Sequence, residues 1–269
     1  MKARITLLAA MLLVVVAASL SAHDMFIKLD SYFLNPGDTL RVPILNGTFT
    51  TTGNAIERDR VLDLALLGPG GLMHPAPLDW HAAHDTTVFG LALDKEGTYA
   101  AGVATKPRVL EMKGAAFNAY LKEEGLTGIL ERRKKLRQLD RPAKERYAKS
   151  VKAVFQVGDA RTPTVSLPLG FPAEIIPIDN PYVGRRDATL RVQCVLGLQP
   201  LAGATVFAGS QRGREAPVQR SFTSDAQGIV RIPITRPGHW YVKFVHMTPV
   251  TGQGVDYVSE WATLTFEVR

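Results

Sequence analysis

Turn-forming residues cut this chain into short apolar runs, and that punctuation favours strands over helices. Asn35-Pro36-Gly37, Lys95–Gly97 and Gly68-Pro69-Gly70-Gly71 separate runs at Leu40–Leu45, Val61–Leu67, Thr86–Leu93 and Thr98–Thr105. Proline presets one backbone dihedral and glycine reaches conformations closed to other residues, so such clusters mark turns. Short, roughly alternating runs between turns read as strands, and strands at this spacing predict a β-sandwich.

The pattern changes near Glu111. Ala115–Glu124 lacks glycine and proline and reads as helix, closed by Gly125, and Thr127–Leu139 continues in the same style. Asp140 with Pro142 resembles the start of a further helix. Tyr147, Val151 and Val154 recur four and three apart and form one stripe, with Lys144, Lys149 and Lys152 largely off it on a solvated face. A helical insertion over about 111–155 follows. From Pro163 to Tyr182 the prolines at 168, 172, 177 and 181 exclude helix. Glu174–Pro177 reads as a strand rejoining the early sheet. A second run of strands begins near Gly184, with the turn Ser224–Gly228 inside it. In Trp261–Val268, the alternate residues Ala262, Leu264, Phe266 and Val268 should face a core. The fold class is therefore mainly β, with two immunoglobulin-like or prealbumin-like sandwich domains at 23–183 and 184–269.

Residues 1–22 carry a different signal. Lys2 and Arg4 precede the uncharged apolar run Ile5–Ala18, then the small-residue tail Ser19–Ala22. This is the form of a cleaved secretory leader, and the run is short for a membrane span. Cleavage after Ala22 would make His23 the first residue of the mature chain; cleavage after Ser21 is the rival. No later stretch is apolar enough to span a bilayer. The single cysteine, Cys194, rules out an internal disulfide and sits in an alternating strand as a buried, inert thiol. Export without disulfides suits the periplasm. The formal charge is +7, and loss of Lys2 and Arg4 lowers it by two. Its basic stretch, Lys122–Lys152, is broken by acids, so nucleic acid is not an expected partner.

Candidate chemistry rests on histidine. A terminal His23 would carry an α-amine beside its imidazole, two nitrogen donors suited to borderline transition metals. His246 ends a strand and precedes a loop, a place where functional side chains collect. His81 and His84 form His-Ala-Ala-His before Asp85, and on one helical turn they would share a face. The metal candidates are thus His23, His246, His81 and His84. No zinc-protease motif, nucleophile elbow or phosphate loop is present, so a non-enzymatic protein is expected. The competing class is a structural or carbohydrate-binding envelope module in which Trp80, Trp240 or Tyr257 stacks on sugars.

Four segments resemble the bacterial DUF4198 family. They are Ala22-His23 with Phe26, Glu145–Lys149, Pro172–Tyr182, and Thr223–Gly228 continuing through Trp240 and His246 to Trp261–Phe266. Members of this family resemble periplasmic components of nickel and cobalt uptake systems. The resemblance implies a secreted two-domain β protein that holds nickel or cobalt and hands it to a membrane transporter component. Copper and zinc stay open choices, because nitrogen sites follow the Irving–Williams order. The chain departs from the family at Phe26, often tryptophan, and at Gly170-Phe171, commonly glycine-histidine. The second departure removes one potential ligand.

Overall fold

The computed structural model describes residues 23–183 and 188–269. The expected leader and the expected domain start at Gly184 lie outside the described residues. The first half contains β1 (Asp24–Ile27), β2 (Phe33–Leu34), β3 (Thr39–Gly47), β4 (Val61–Gly68), β5 (Gly71–Met73), β6 (Leu78–Ala83), β7 (Thr86–Ala92), β8 (Gly97–Thr105) and β9 (Arg108–Met112). Helices α1 (Gly114–Glu123) and α2 (Thr127–Lys135) follow, then the long strand β10 (Ala143–Val157) and β11 (Ala173–Pro177). The second half holds β12 (Thr189–Leu196), β13 (Gln199–Pro200), β14 (Thr205–Gln211), β15 (Val218–Thr223), β16 (Ile229–Pro233), β17 (Gly238–Pro249) and β18 (Tyr257–Val268).

The fold is mainly β and is built in layers. One large sheet runs β15-β14-β17-β18-β10-β8-β4-β5, with β2 and β9 also on β10. Its two halves join where β10 and β18 pair in parallel, Glu145 beside Tyr257 through Ala153 beside Thr265. A sheet of β1-β3-β7-β6 covers one face, and a sheet built on β11, β12, β13 and β16 covers the other. One core, with Ile27, Val42, Ile44, Phe89 and Phe155, fills the first interface. A second, with Ile175, Val192, Val206, Val242, Leu264 and Phe266, fills the other. Helix α1 adds Phe117 and Leu121 to a smaller cluster around Tyr257 and Trp261.

Several expectations hold. Leu264 and Phe266 are fully buried, and Cys194 is buried with its thiol pushed up to about 12 by desolvation. The turn at Ser224–Gly228 forms, with the Asp225 carboxylate accepting the backbone N–H groups of Gln227 and Ile229. Among the described residues the α-helices are confined to Gly114–Lys135, however, and Ala143–Val157 is a strand rather than the last helix of the insertion. The reason is double burial. A strand between two layers loses the apolar–polar alternation that would identify it. Of Lys144, Lys149 and Lys152, read as a solvated helix face, Lys144 is exposed but Lys149 and Lys152 are buried. β11 is corrected too: it pairs with β12, Ala173 beside Leu196 through Pro177 beside Val192, and does not rejoin the early sheet.

Candidate functional site

The start of β1 is held in place before any chemistry is considered. Asp24–Ile27 pairs with Ile44–Gly47 of β3. Thr263 and Thr265 of β18 donate their hydroxyls to the carbonyls of Met25 and Ile27, at 2.8 and 2.6 Å. Phe26 packs edge-on against Phe49 and Tyr241, each with ring centroids 5.3 Å away. Phe26 is thus an anchor in an aromatic cluster.

Two buried lysines reach this anchored end. Lys149 Nζ donates to the backbone carbonyl of His23 and, at 3.4 Å, to Asn46 Oδ1. Lys243 Nζ donates to Asp24 Oδ2 at 2.6 Å and to both Glu124 oxygens at 3.0 and 3.2 Å. Burial desolvates Glu124 and raises its carboxyl to about 7, while Lys243 pulls it back down. Desolvation brings Lys149 down to about 8, partly countered by Asp24. Its ammonium also lies 5.4 Å from the Trp261 ring centre and 5.5 Å from that of Tyr147. Such contacts stabilise a cation that has left water.

Beside Lys149 lies a cavity of 450 Å³, lined among others by Asn46, Asn54, Arg60, His84, Asp85, Arg108 and Tyr147. The Thr- and Gly-rich loop after β3 forms its rim. Thr52 Oγ1 donates to the Asp85 carbonyl at 2.8 Å, tying that loop to the β6–β7 turn. His23 is exposed, and its ring lies against Gly53: a Cβ there would stand 3.8 Å from Nε2. The Gly47–Asn54 loop thus meets the His84-Asp85 turn at the cavity through Thr52 and the His23 ring at Gly53.

The other histidines are elsewhere or engaged. His81 lies on β6 and His84 in the following turn, with positive φ, so the pair does not share a helical face. His81 Nδ1 is 2.8 Å from the Asp79 carbonyl, and His74 Nδ1 is 2.8 Å from Asp63 Oδ1. His246 has the same parity on β17 as Val242 and Phe244 of the second core, whereas Lys243, bound to Asp24, has the opposite parity. His23 and His246 thus lie on opposite sides of the large sheet. Across the ladder from His246 stands Glu260, whose Oε2 is buried with no hydrogen-bond partner. Desolvation raises Glu260 to about 7 and lowers His246. Phe171, where the sequence reading expected a departure from the family, is buried in the loop packed over Gly102 of β8. Of the aromatic residues considered for sugar stacking, Trp240 and Tyr257 are buried, and Trp80 is stacked on Phe89 at 4.9 Å.

Comparison with known proteins places the chain. The model of the DUF4198 family, a domain of unknown function, matches residues 20–248. The chain belongs to the DUF4198 family. That match begins just before His23 and ends just past His246. No curated protein matches this DUF4198 chain. Solved structures give only distant likenesses. The D0-D1 domain of intimin is 11% identical with a TM-score of 0.22, over 91% of this chain and 98% of that one. Trypsin-activated alpha-2-macroglobulin from Escherichia coli is 12% identical with a TM-score of 0.27, over 91% of this chain and 16% of that one. Among the described residues no helix is long and apolar enough to cross a membrane.

Sequence reasoning singled out His23 and missed what surrounds it. Asp24, Lys243 and Glu124 come from three distant segments, and no local pattern joins them. Lys149 had a signal: it closes Glu145–Lys149, one of the segments that carried the family resemblance.

Proposed function

We propose that this DUF4198 protein is a secreted, non-enzymatic metal-handling protein of the periplasm. It holds a nickel- or cobalt-like divalent ion through the nitrogen donors of His23 and passes it to a membrane uptake partner. The observation that carries the reading is the clamp on His23 and Asp24. Lys149 holds the His23 carbonyl and Lys243 the Asp24 carboxylate, while the His23 ring stays exposed beside Gly53. A donor held this way loses little conformational freedom on binding. The residues fit a chelate built on His23 and not a cage of protein ligands. Among the described residues no group of three or more His, Cys, Asp or Glu is placed to hold an ion.

The test starts with processing. Intact mass of the exported protein should correspond to a chain beginning at His23. Calorimetry with nickel or cobalt should then give binding that His23→Ala weakens at least about tenfold, the scale of one lost ligand interaction. His74→Ala should leave it unchanged. Affinity should fall as the solution is acidified through the imidazole range, because both donors must be unprotonated. Binding insensitive to His23→Ala would overturn the reading.

A further inference from the structure

The cavity beside His23 is built for a different charge from the metal. Arg60, Arg108 and Lys149 all line it. Arg60 and Lys149 are buried, at 6% and 5% exposure, so water screens neither well. Among the described residues, no carboxylate lies within ion-pair distance of any of the three. The carboxylates that do pair with cations in this chain are engaged elsewhere, as Glu174 is with Lys152 and Asp179 with Arg191. Arg60 satisfies one guanidinium nitrogen on the Lys106 carbonyl, and its guanidinium lies 5.4 Å from the Tyr147 ring centre. Lys149 meets only neutral acceptors, the His23 carbonyl and Asn46. Burying charge without a counter-ion costs several kcal/mol by order of magnitude, roughly the scale set by desolvation of one ion. Two buried cations facing one 450 Å³ space, with an exposed third at its edge, leave that cost only partly offset, by Asp24, Glu145 and Glu124 acting on Lys149 from beyond ion-pair distance.

We infer that this cavity binds a small multivalent oxyanion, held by Arg60, Arg108 and Lys149 with Asn46, Asn54 and Tyr147 as further polar contacts. Guanidinium groups suit the task because their planar donors match carboxylate or phosphate oxygens in pairs. Asp85 and Glu57 also line the space, but both are exposed, so solvent weakens their repulsion. A bound oxyanion would complete the ion pairing that the chain leaves open. The anion site stands on its own residues and does not require the metal reading.

Carboxylates and phosphate share this chemistry, so the experiment carries both. Mature full-length protein is titrated calorimetrically at low ionic strength with citrate in one arm and inorganic phosphate in the other, without metal. One arm or both should show one binding event per chain in the millimolar range or tighter. Arg108→Gln, a change at an exposed residue that leaves the core intact, should weaken it by about tenfold, the scale of a lost charge-assisted contact. Lys149→Met should weaken it at least as much. Arg220→Gln, on the exposed face of β15, should leave it unchanged. His23→Ala should also leave anion binding intact, which separates this site from the metal chelate. Absence of binding in both arms would overturn the inference, as would binding that neither Arg108→Gln nor Lys149→Met alters.

Discussion

Lys149 and Lys152 lie three residues apart on β10 and face opposite layers, and they are solved in opposite ways. Lys152 meets Glu174 at 2.5 Å, and both side chains are almost completely buried. Glu174 also accepts the backbone N–H groups of Leu169, Gly170 and Phe171, so the pair is enclosed and saturated. Lys149 is equally buried but meets a carbonyl and an amide oxygen and borders a cavity. A closed ion pair pins a loop to a sheet. A buried cation with neutral partners and open space beside it marks a place where something else can come.

The largest expected effect breaks the closed side. Glu174→Ala strands the Lys152 ammonium and leaves three backbone donors unmet, and should cost about 3–5 kcal/mol of stability, the usual scale for halving a buried pair. Urea denaturation measures it. Lys152→Met should cost nearly as much, because a buried carboxylate remains. The same substitution at Lys149 should cost no more than about 1 kcal/mol, since relief of a buried charge with no carboxylate in ion-pair reach offsets two lost hydrogen bonds. Equal losses at the two lysines would erase the distinction.

This contrast also explains how much could be read in advance. The β architecture was legible because turns at Asn35–Gly37, Gly68–Gly71 and Ser224–Gly228 are local chemistry. The strand Trp261–Val268 was legible because one face is wholly apolar. β10 was not. Lys149 and Lys152 imitate a solvated helix face, and only partners distant in the chain, the His23 carbonyl and Glu174, make their burial possible. His23 was legible from the leader pattern, while Lys243, Glu124 and Arg60 entered its surroundings through tertiary pairing alone. His81 and His84 failed as a helical pair because β-hairpin pairing of Ala83 with Thr86 overrode a spacing that meant something only in a helix.

Protonation sharpens the comparison next. Glu260 is raised from 4.5 to about 7 by burial. A carboxyl with a raised folded value keeps its proton better in the native state, so its contribution is fully present below 4.5 and is lost as pH rises through 7. Glu260→Gln should flatten that part of the stability profile and stabilise the protein above neutrality by about 1 kcal/mol, discounted for partial exposure. Lys149 has the opposite sign. Its value drops from 10.5 to about 8, so its burial penalty is constant below 8 and relieved as pH rises from there toward 10.5. Lys149→Met should remove that alkaline rise and leave the acid limb alone. A profile in which Glu260→Gln changes only the alkaline limb would show that the two groups have been assigned to the wrong faces.

The smallest expected effect is a null, and it separates the two faces most cleanly. His246 was a metal candidate together with His23, yet it has the parity of Phe244 on β17, while Lys243 of the neighbouring position binds Asp24 beside His23. A continuous ladder from Gly238 to Pro249 holds that alternation without a bulge. The imidazole would have to cross the sheet to join a His23 chelate. His246→Ala should therefore leave nickel or cobalt affinity within experimental scatter while removing the partner that stands opposite Glu260. A loss of affinity comparable to that of His23→Ala would mean that metal binding uses the Glu260 face, and the clamp on the first residues would then be an anchor for β1 and nothing more.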